Sequence, residues 1–185
     1  MSKSTSAATR PPARRVGTEP DRVDAILAQW RVIRPELDPT PMGVIARISQ
    51  LSRLFEASTA EVLAEFKLNE PQFGVLAALR RATPDFTLSP TELYQSLMIT
   101  SGAMTNRLDR LTSAGLVTRI PDETDGRSML VALTAKGRAV VDRAVEAHLE
   151  NESRLLEWMT KSEYAVLVRT LRRLLACFES ANEQS

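Results

Sequence analysis

The chain has 185 residues, of which 43% are hydrophobic, 25% charged and only 5% aromatic; this is the length of one ordinary soluble domain, with material for an aliphatic core. A formal net charge of +1 excludes recognition of nucleic acid by bulk charge, so any basic footprint has to be local. One cysteine excludes an internal disulfide framework and a cysteine-rich zinc site, and no run reaches the roughly 18 apolar residues that cross a bilayer.

Residues 1–17 are rich in Ser, Ala, Pro and Arg and have no periodic apolar positions. Lys3, Arg10, Arg14 and Arg15 meet no acid before Glu19, which reads either as a disordered, solvated tail or as a basic arm for DNA phosphates or the minor groove. The segment has no apolar stretch of the secretory kind, so the chain is expected in the cytoplasm and away from membranes.

Thr18, Pro20 and Asp21 form a helix-opening signature, and Val23, Ile26, Leu27, Trp30 and Ile33 follow at helical spacing. After Pro35 and Pro39, Thr40-Pro41 caps a longer helix to about Phe66, with Val44, Ile48, Leu51, Phe55, Val62 and Phe66 on one stripe. Asn69 and Pro71 start another, carrying Phe73, Leu76 and Leu79. Ser89-Pro90-Thr91-Glu92 is a capping box with proline in the first turn, and Thr100-Ser101-Gly102 soon offers a new start. The helix from there runs to Ala114, where Gly115 can take the left-handed position. A helix, a tight turn and a second helix ending in glycine outline a helix-turn-helix.

The period then changes. Leu116 to Ile120 and Met129 to Leu133 read as strands of a hairpin, with Asp125-Gly126 in the loop between them. Thr134 caps a helix through about Met159, and Thr160-Lys161-Ser162-Glu163 opens the last one. Its stripe of Tyr164, Leu167, Leu171, Leu174 and Phe178 alternates spacings of 3 and 4, which calls for a partner helix. The expected fold is therefore mostly α with a small β-hairpin wing. A tail at 1–17 precedes N-terminal dimerisation helices at 18–66, a winged helix-turn-helix lobe at 67–133 and C-terminal dimerisation helices at 134–183. Packing of the terminal helices across a two-fold axis predicts a homodimer. Cys177 falls in an apolar helical pattern, which suits a buried inert thiol.

In the helix from Ser101, Met104, Leu108 and Leu111 share one face, while Ser101, Gly102, Thr105, Asn106 and Asp109 fall opposite. Small hydrogen-bonding residues at the N-terminal end suit a major groove, where Asn pairs with adenine and Arg with guanine. The candidate DNA contacts are Ser89, Thr91, Thr100, Ser101, Gly102, Thr105, Asn106 and Arg110. Arg127 and Ser128 belong to the wing, where a guanidinium can reach a narrow minor groove and Asp125 can hold it in place. An ordinary solvated helix face is the plainer alternative, and it weakens once a hairpin with arginine near its tip follows.

These residues resemble the MarR family of bacterial winged-helix regulators. The likeness is carried by Ser101-Gly-Ala-Met-Thr-Asn-Arg-Leu-Asp-Arg-Leu through Gly115-Leu-Val, then Asp122 to Gly126-Arg127-Ser128, then Leu133-Thr134 with Gly137, and it covers about Asp21 to Phe178. It implies a homodimer on a palindromic operator in double-stranded DNA, usually a repressor relieved by a small ligand, with the terminal helices as dimer interface. Trp30, the Arg-Pro-Glu-Leu-Asp segment at 34–38 and Pro41-Met42 are also similar to the urate-responsive branch. The ligand signature of that branch is a tryptophan, an aspartate and two arginines. Trp30, Arg107 and Arg119 match three of these, and Gly74 stands at the aspartate's place, which counts against urate itself and leaves a related aromatic or carboxylate ligand. Read without the resemblance, Arg107 also fits an interface salt bridge, and Trp30 fits core or dimer packing.

No catalytic constellation is visible. The one histidine, His148, sits in a helix rich in Glu and Arg and is expected at the surface, and with Cys177 it makes no nucleophile–base pair. No phosphate-cradling glycine loop is present, and no cofactor or metal is expected. The rival to a regulator is a winged-helix module that binds protein, or a ligand-independent architectural DNA binder.

Overall fold

The computed structural model describes residues 19–82, 85–97, 101–122 and 128–182. In chain order the elements are α1 (Arg22–Ile33), α2 (Thr40–Ala64), α3 (Glu70–Arg81), β1 (Thr87–Leu88), α4 (Pro90–Ser96), α5 (Ser101–Ser113), β2 (Val117–Pro121), β3 (Met129–Leu133), α6 (Ala135–Leu156) and α7 (Lys161–Asn182). The chain separates into two units, residues 1–56 and 57–185, with the division inside α2.

In the first unit α1 is capped by Asp21, and Thr18 lies outside the described residues. The Asp21 carboxylate accepts from the amides of Val23 and Asp24 at 2.8 and 3.0 Å, and the Asp24 carboxylate accepts in return from the Asp21 amide. A carboxylate caps as well as a hydroxyl and also meets the positive end of the helix dipole. Arg47 on α2 ties both acids down, 2.8 Å from each. Its guanidinium is the largest cause holding the Asp21 and Asp24 carboxyls below their ordinary value. Of the apolar row on α1 only Val23 and Leu27 are buried, whereas Ile26, Trp30 and Ile33 remain exposed, as do Val44, Ile48, Leu51 and Phe55 on α2.

The second unit holds the main core: Leu63, Leu76, Leu79, Leu93, Met104, Leu111, Val131 and Val141 are almost wholly enclosed. This core draws on α2 before residue 67 and on α6 after residue 133, because Leu63, Val141 and Ala144 close it from both sides. Asn69 and Gln72 form a reciprocal cap on α3. The sheet order is β1-β3-β2, all antiparallel. The hairpin is paired from Val117↔Leu133 to Pro121↔Met129. β1 is a strand the sequence pattern does not announce: two residues carry no period, and Thr87 and Leu88 are strand only because Ala132 and Val131 pair with them.

Gly115 ends α5 with φ +69°. Its amide donates to the Thr112 carbonyl at 2.9 Å and the Leu116 amide donates to Leu111 at 3.0 Å, the two bonds of a Schellman motif. Thr134 then ties the start of α6 to this corner. Its amide donates to the Leu116 carbonyl at 3.1 Å, its hydroxyl donates to the Gly115 carbonyl at 2.8 Å, and the same oxygen accepts from the Gly137 amide at 2.9 Å.

On α7 the capping box forms as expected: Glu163 accepts from the Thr160 amide at 2.8 Å and returns its own amide to the Thr160 hydroxyl. Tyr164, Leu167, Leu171, Leu174 and Phe178 are all exposed in the single chain. Cys177 is exposed too, contrary to the expected buried thiol, because it shares a helix whose apolar residues are not covered within the protomer.

Candidate DNA interface and adjoining cavities

Ser89 begins the site by fixing α4. Its hydroxyl accepts from the Glu92 amide at 3.2 Å, and the Glu92 carboxylate accepts from the Ser89 amide at 2.7 Å and from its hydroxyl at 2.8 Å. The backbone bond from Ser89, then the hydroxyl, hold the Glu92 carboxyl below its ordinary value. Ser89 is thus engaged in the cap, and Thr91, like Pro90 and Glu92 beside it, is exposed.

α5 sorts its side chains as the pattern predicts. Met104, Leu108 and Leu111 are buried, while Thr105, Asn106, Asp109 and Arg110 are exposed. Ser101 and Gly102 open the helix, with side chains outside the described residues, as are Thr100, Asp125 and Arg127. At the wing's base the Ser128 hydroxyl donates to the Asp122 carboxylate at 3.1 Å, and the Asp122 amide donates to the Ser128 carbonyl at 3.0 Å. Ser128 therefore closes the hairpin stem.

The arginines singled out as ligand residues are not brought together. Arg107 is half-buried and lines a cavity of about 360 Å³ with Glu70, Phe73, Gly74, Leu97 and His148. Arg119 lines a different one, of about 420 Å³, with Thr91, Tyr94, Met104, Thr105 and Met129, and its Nη2 donates to Asp109 at 2.7 Å. A side chain on β2 cannot serve both places. Trp30 belongs to the first unit and is 41% exposed on α1. Gly74 stands in the wall of the Arg107 cavity, with room for a Cβ that would lie 3.5 Å from Leu97.

His148, expected at the surface, is half-buried, with its side chain 20% exposed. The ring stands edge-on to Phe73 at 5.1 Å, Nε2 lies 3.2 Å from Glu152, and Nδ1 is buried without a hydrogen-bond partner among the described residues. The sequence carries the signal, because His148 recurs at spacings of 3 and 4 with the buried Val141, Ala144 and Asn151 of α6.

Among the described residues no group of three or more His, Cys, Asp or Glu is placed to hold a metal, and no helix is long and apolar enough to cross a membrane.

Residues 66–128, from the start of the lobe into the wing loop, match the MarR family model. The HTH-type transcriptional regulator PecS of Dickeya dadantii is 40% identical over 152 residues, covering 82% of this chain and 92% of that protein. The chain belongs to the MarR family. Its fold matches that of a mutant MarR from E. coli complexed with operator DNA, with a TM-score of 0.64 at 28% identity over 79% of this chain and 97% of that one. AbsC, a MarR family regulator from Streptomyces coelicolor, shares the fold with a TM-score of 0.71 at 18% identity, covering 78% and 97%. As a MarR-family protein the chain is a winged helix-turn-helix, DNA-binding transcriptional regulator and not an enzyme.

Proposed function

We propose that the protein is a repressor that binds a palindromic operator as a homodimer and is released by a small aromatic or carboxylate ligand. The observation that carries the DNA half is the outward face of α5, where Thr105, Asn106 and Arg110 are exposed while Met104, Leu108 and Leu111 hold the helix to the core. Thr91 on α4 supports the same face, Thr100, Ser101 and Gly102 would add amide and hydroxyl donors for phosphate, and Arg127 would reach the minor groove, held by Asp125. The dimer half is supported by the uncovered apolar row of α7, which costs solvation until a second helix covers it.

The ligand half is supported by the Arg107 cavity. The Arg107 guanidinium can pair with a carboxylate beside the rings of Phe73 and His148, and Glu70 lines the same cavity. Arg107 adjoins Asn106 on α5, so an anion held by one disturbs the helix that presents the other. Arg119 lines the other cavity and so has no part in this reading.

Selection from a random duplex pool tests the function. A two-fold symmetric sequence, lost on Asn106→Ala and bound by a dimer, is the expected result. Benzoate is the simplest probe of the cavity: it should weaken operator binding in the wild type and not in Arg107→Ala. A pool that yields no preferred sequence would favour an architectural role.

A further inference from the structure

Asp109 lies on α5 one turn after Thr105, exposed on the outward side of the helix. A bare carboxylate there is a poor neighbour for DNA, since it repels phosphate and among the bases is suited to the cytosine amino group. Its partner changes that reading. Arg119, on β2, donates to Asp109 at 2.7 Å, and the side chains of Arg119 and Asp109 stay 47% and 61% exposed. Exposed ion pairs add little to folding, so stability does not account for this one.

Its position offers another role. Arg119 stands in a strand paired along its whole length with β3, and that sheet is the stem of the wing. Between the stem and α5 the packing is incomplete, leaving the cavity of about 420 Å³ that Thr91, Met104, Thr105, Arg119 and Met129 line. The Arg119–Asp109 bond therefore links α5 to the hairpin stem beside this gap, on the exposed side, while Met104, Leu108, Leu111, Val117 and Val131 pack together on the buried side.

We propose that Asp109 and Arg119 are positioning residues for operator reading, their ion pair holding α5 at the angle to the wing that lets both engage one duplex together. Neither residue needs to touch a base. The inference rests on α5 being the reading helix.

The test exploits the opposite charges of the pair. Affinities are measured for the selected operator and for an unrelated duplex of equal length, for Asp109→Asn, Arg119→Gln and the double variant, with thermal unfolding recorded for each. If the pair positions the helix, both single variants lower operator affinity, by roughly tenfold. The double variant should then lose no more than either single one, with unrelated-DNA affinity and melting temperature little changed. If the residues act only as charges, Asp109→Asn tightens binding to both duplexes and Arg119→Gln loosens both, which overturns the proposal. Loss of the fold in any variant would show as a lowered melting temperature and would also overturn it. An Asn106→Ala protein that keeps its operator preference would instead strike the reading of α5 itself, and the proposal would fall with it.

Discussion

Gly137, in the first turn of α6, lies so close to Leu116 that a Cβ at position 137 would stand 1.9 Å from the Leu116 carbonyl oxygen. That oxygen is backbone, and it already accepts the Thr134 amide, so it cannot swing aside. Gly137→Ala should destabilise the lobe by about 1–3 kcal/mol, as overpacking against rigid neighbours does. Thermal unfolding checks this, with Gly74→Ala as control, since a Cβ there meets only Leu97 at an ordinary 3.5 Å. Equal melting temperatures for the two variants would contradict the close approach.

The cap on α4 predicts a smaller loss. Ser89→Ala removes the hydroxyl that accepts from the Glu92 amide, and with it one side of the reciprocal box. The cost should be about 1 kcal/mol in urea unfolding, typical of a lost N-cap. Because Ser89 is engaged in capping, its effect on DNA binding should follow this loss of stability and not exceed it.

Acid should release the first unit's tether. Asp21 and Asp24 titrate below the ordinary 3.8 because Arg47 favours their charged forms. Folded-state values below unfolded ones mean the stabilisation is fully present above about 3.8 and is lost as pH falls through the lower folded values. Hydrogen exchange of the α1 amides should therefore lose protection below about pH 4 in the wild type. In Arg47→Ala the protection should be lower already at neutral pH and the acid step smaller; an unchanged step would sink the assignment.

The row on α7 predicts the oligomeric state. Leu171→Glu places a charge in the middle of an exposed apolar stripe and leaves the protomer's own core untouched. Light scattering should read a dimer for the wild type and a monomer for the variant, each folded by circular dichroism. A variant that stays dimeric would place the interface elsewhere.

Much of this architecture was legible because its signals are local. Asn69, Ser89, Thr134 and Thr160 each announce a helix through chemistry within three residues, and Gly115 marks its end in the same way. The face of α5 was equally readable from period alone. What could not be read depends on distant pairing. β1 is defined by β3, the Arg119–Asp109 bond by the way the hairpin turns back onto α5, and the two arginines expected to share a ligand are separated only in three dimensions. His148 is different: its spacing from Val141 and Ala144 sets it beside their inward row, although its polar ring alone points to the surface.

Asn106 and Arg107 are consecutive, and a helix turns successive side chains by about 100°, so one faces outward while the other lines the cavity. Thermodynamic linkage then fixes a reciprocity: any factor by which an anion at Arg107 weakens the hold on DNA is the factor by which DNA weakens the hold on the anion. Protein already seated on an operator would be the less sensitive form. Under the proposed ligand release, the triggering concentration would accordingly rise with the number of operators the cell carries, and gene dosage would help to set the threshold of response.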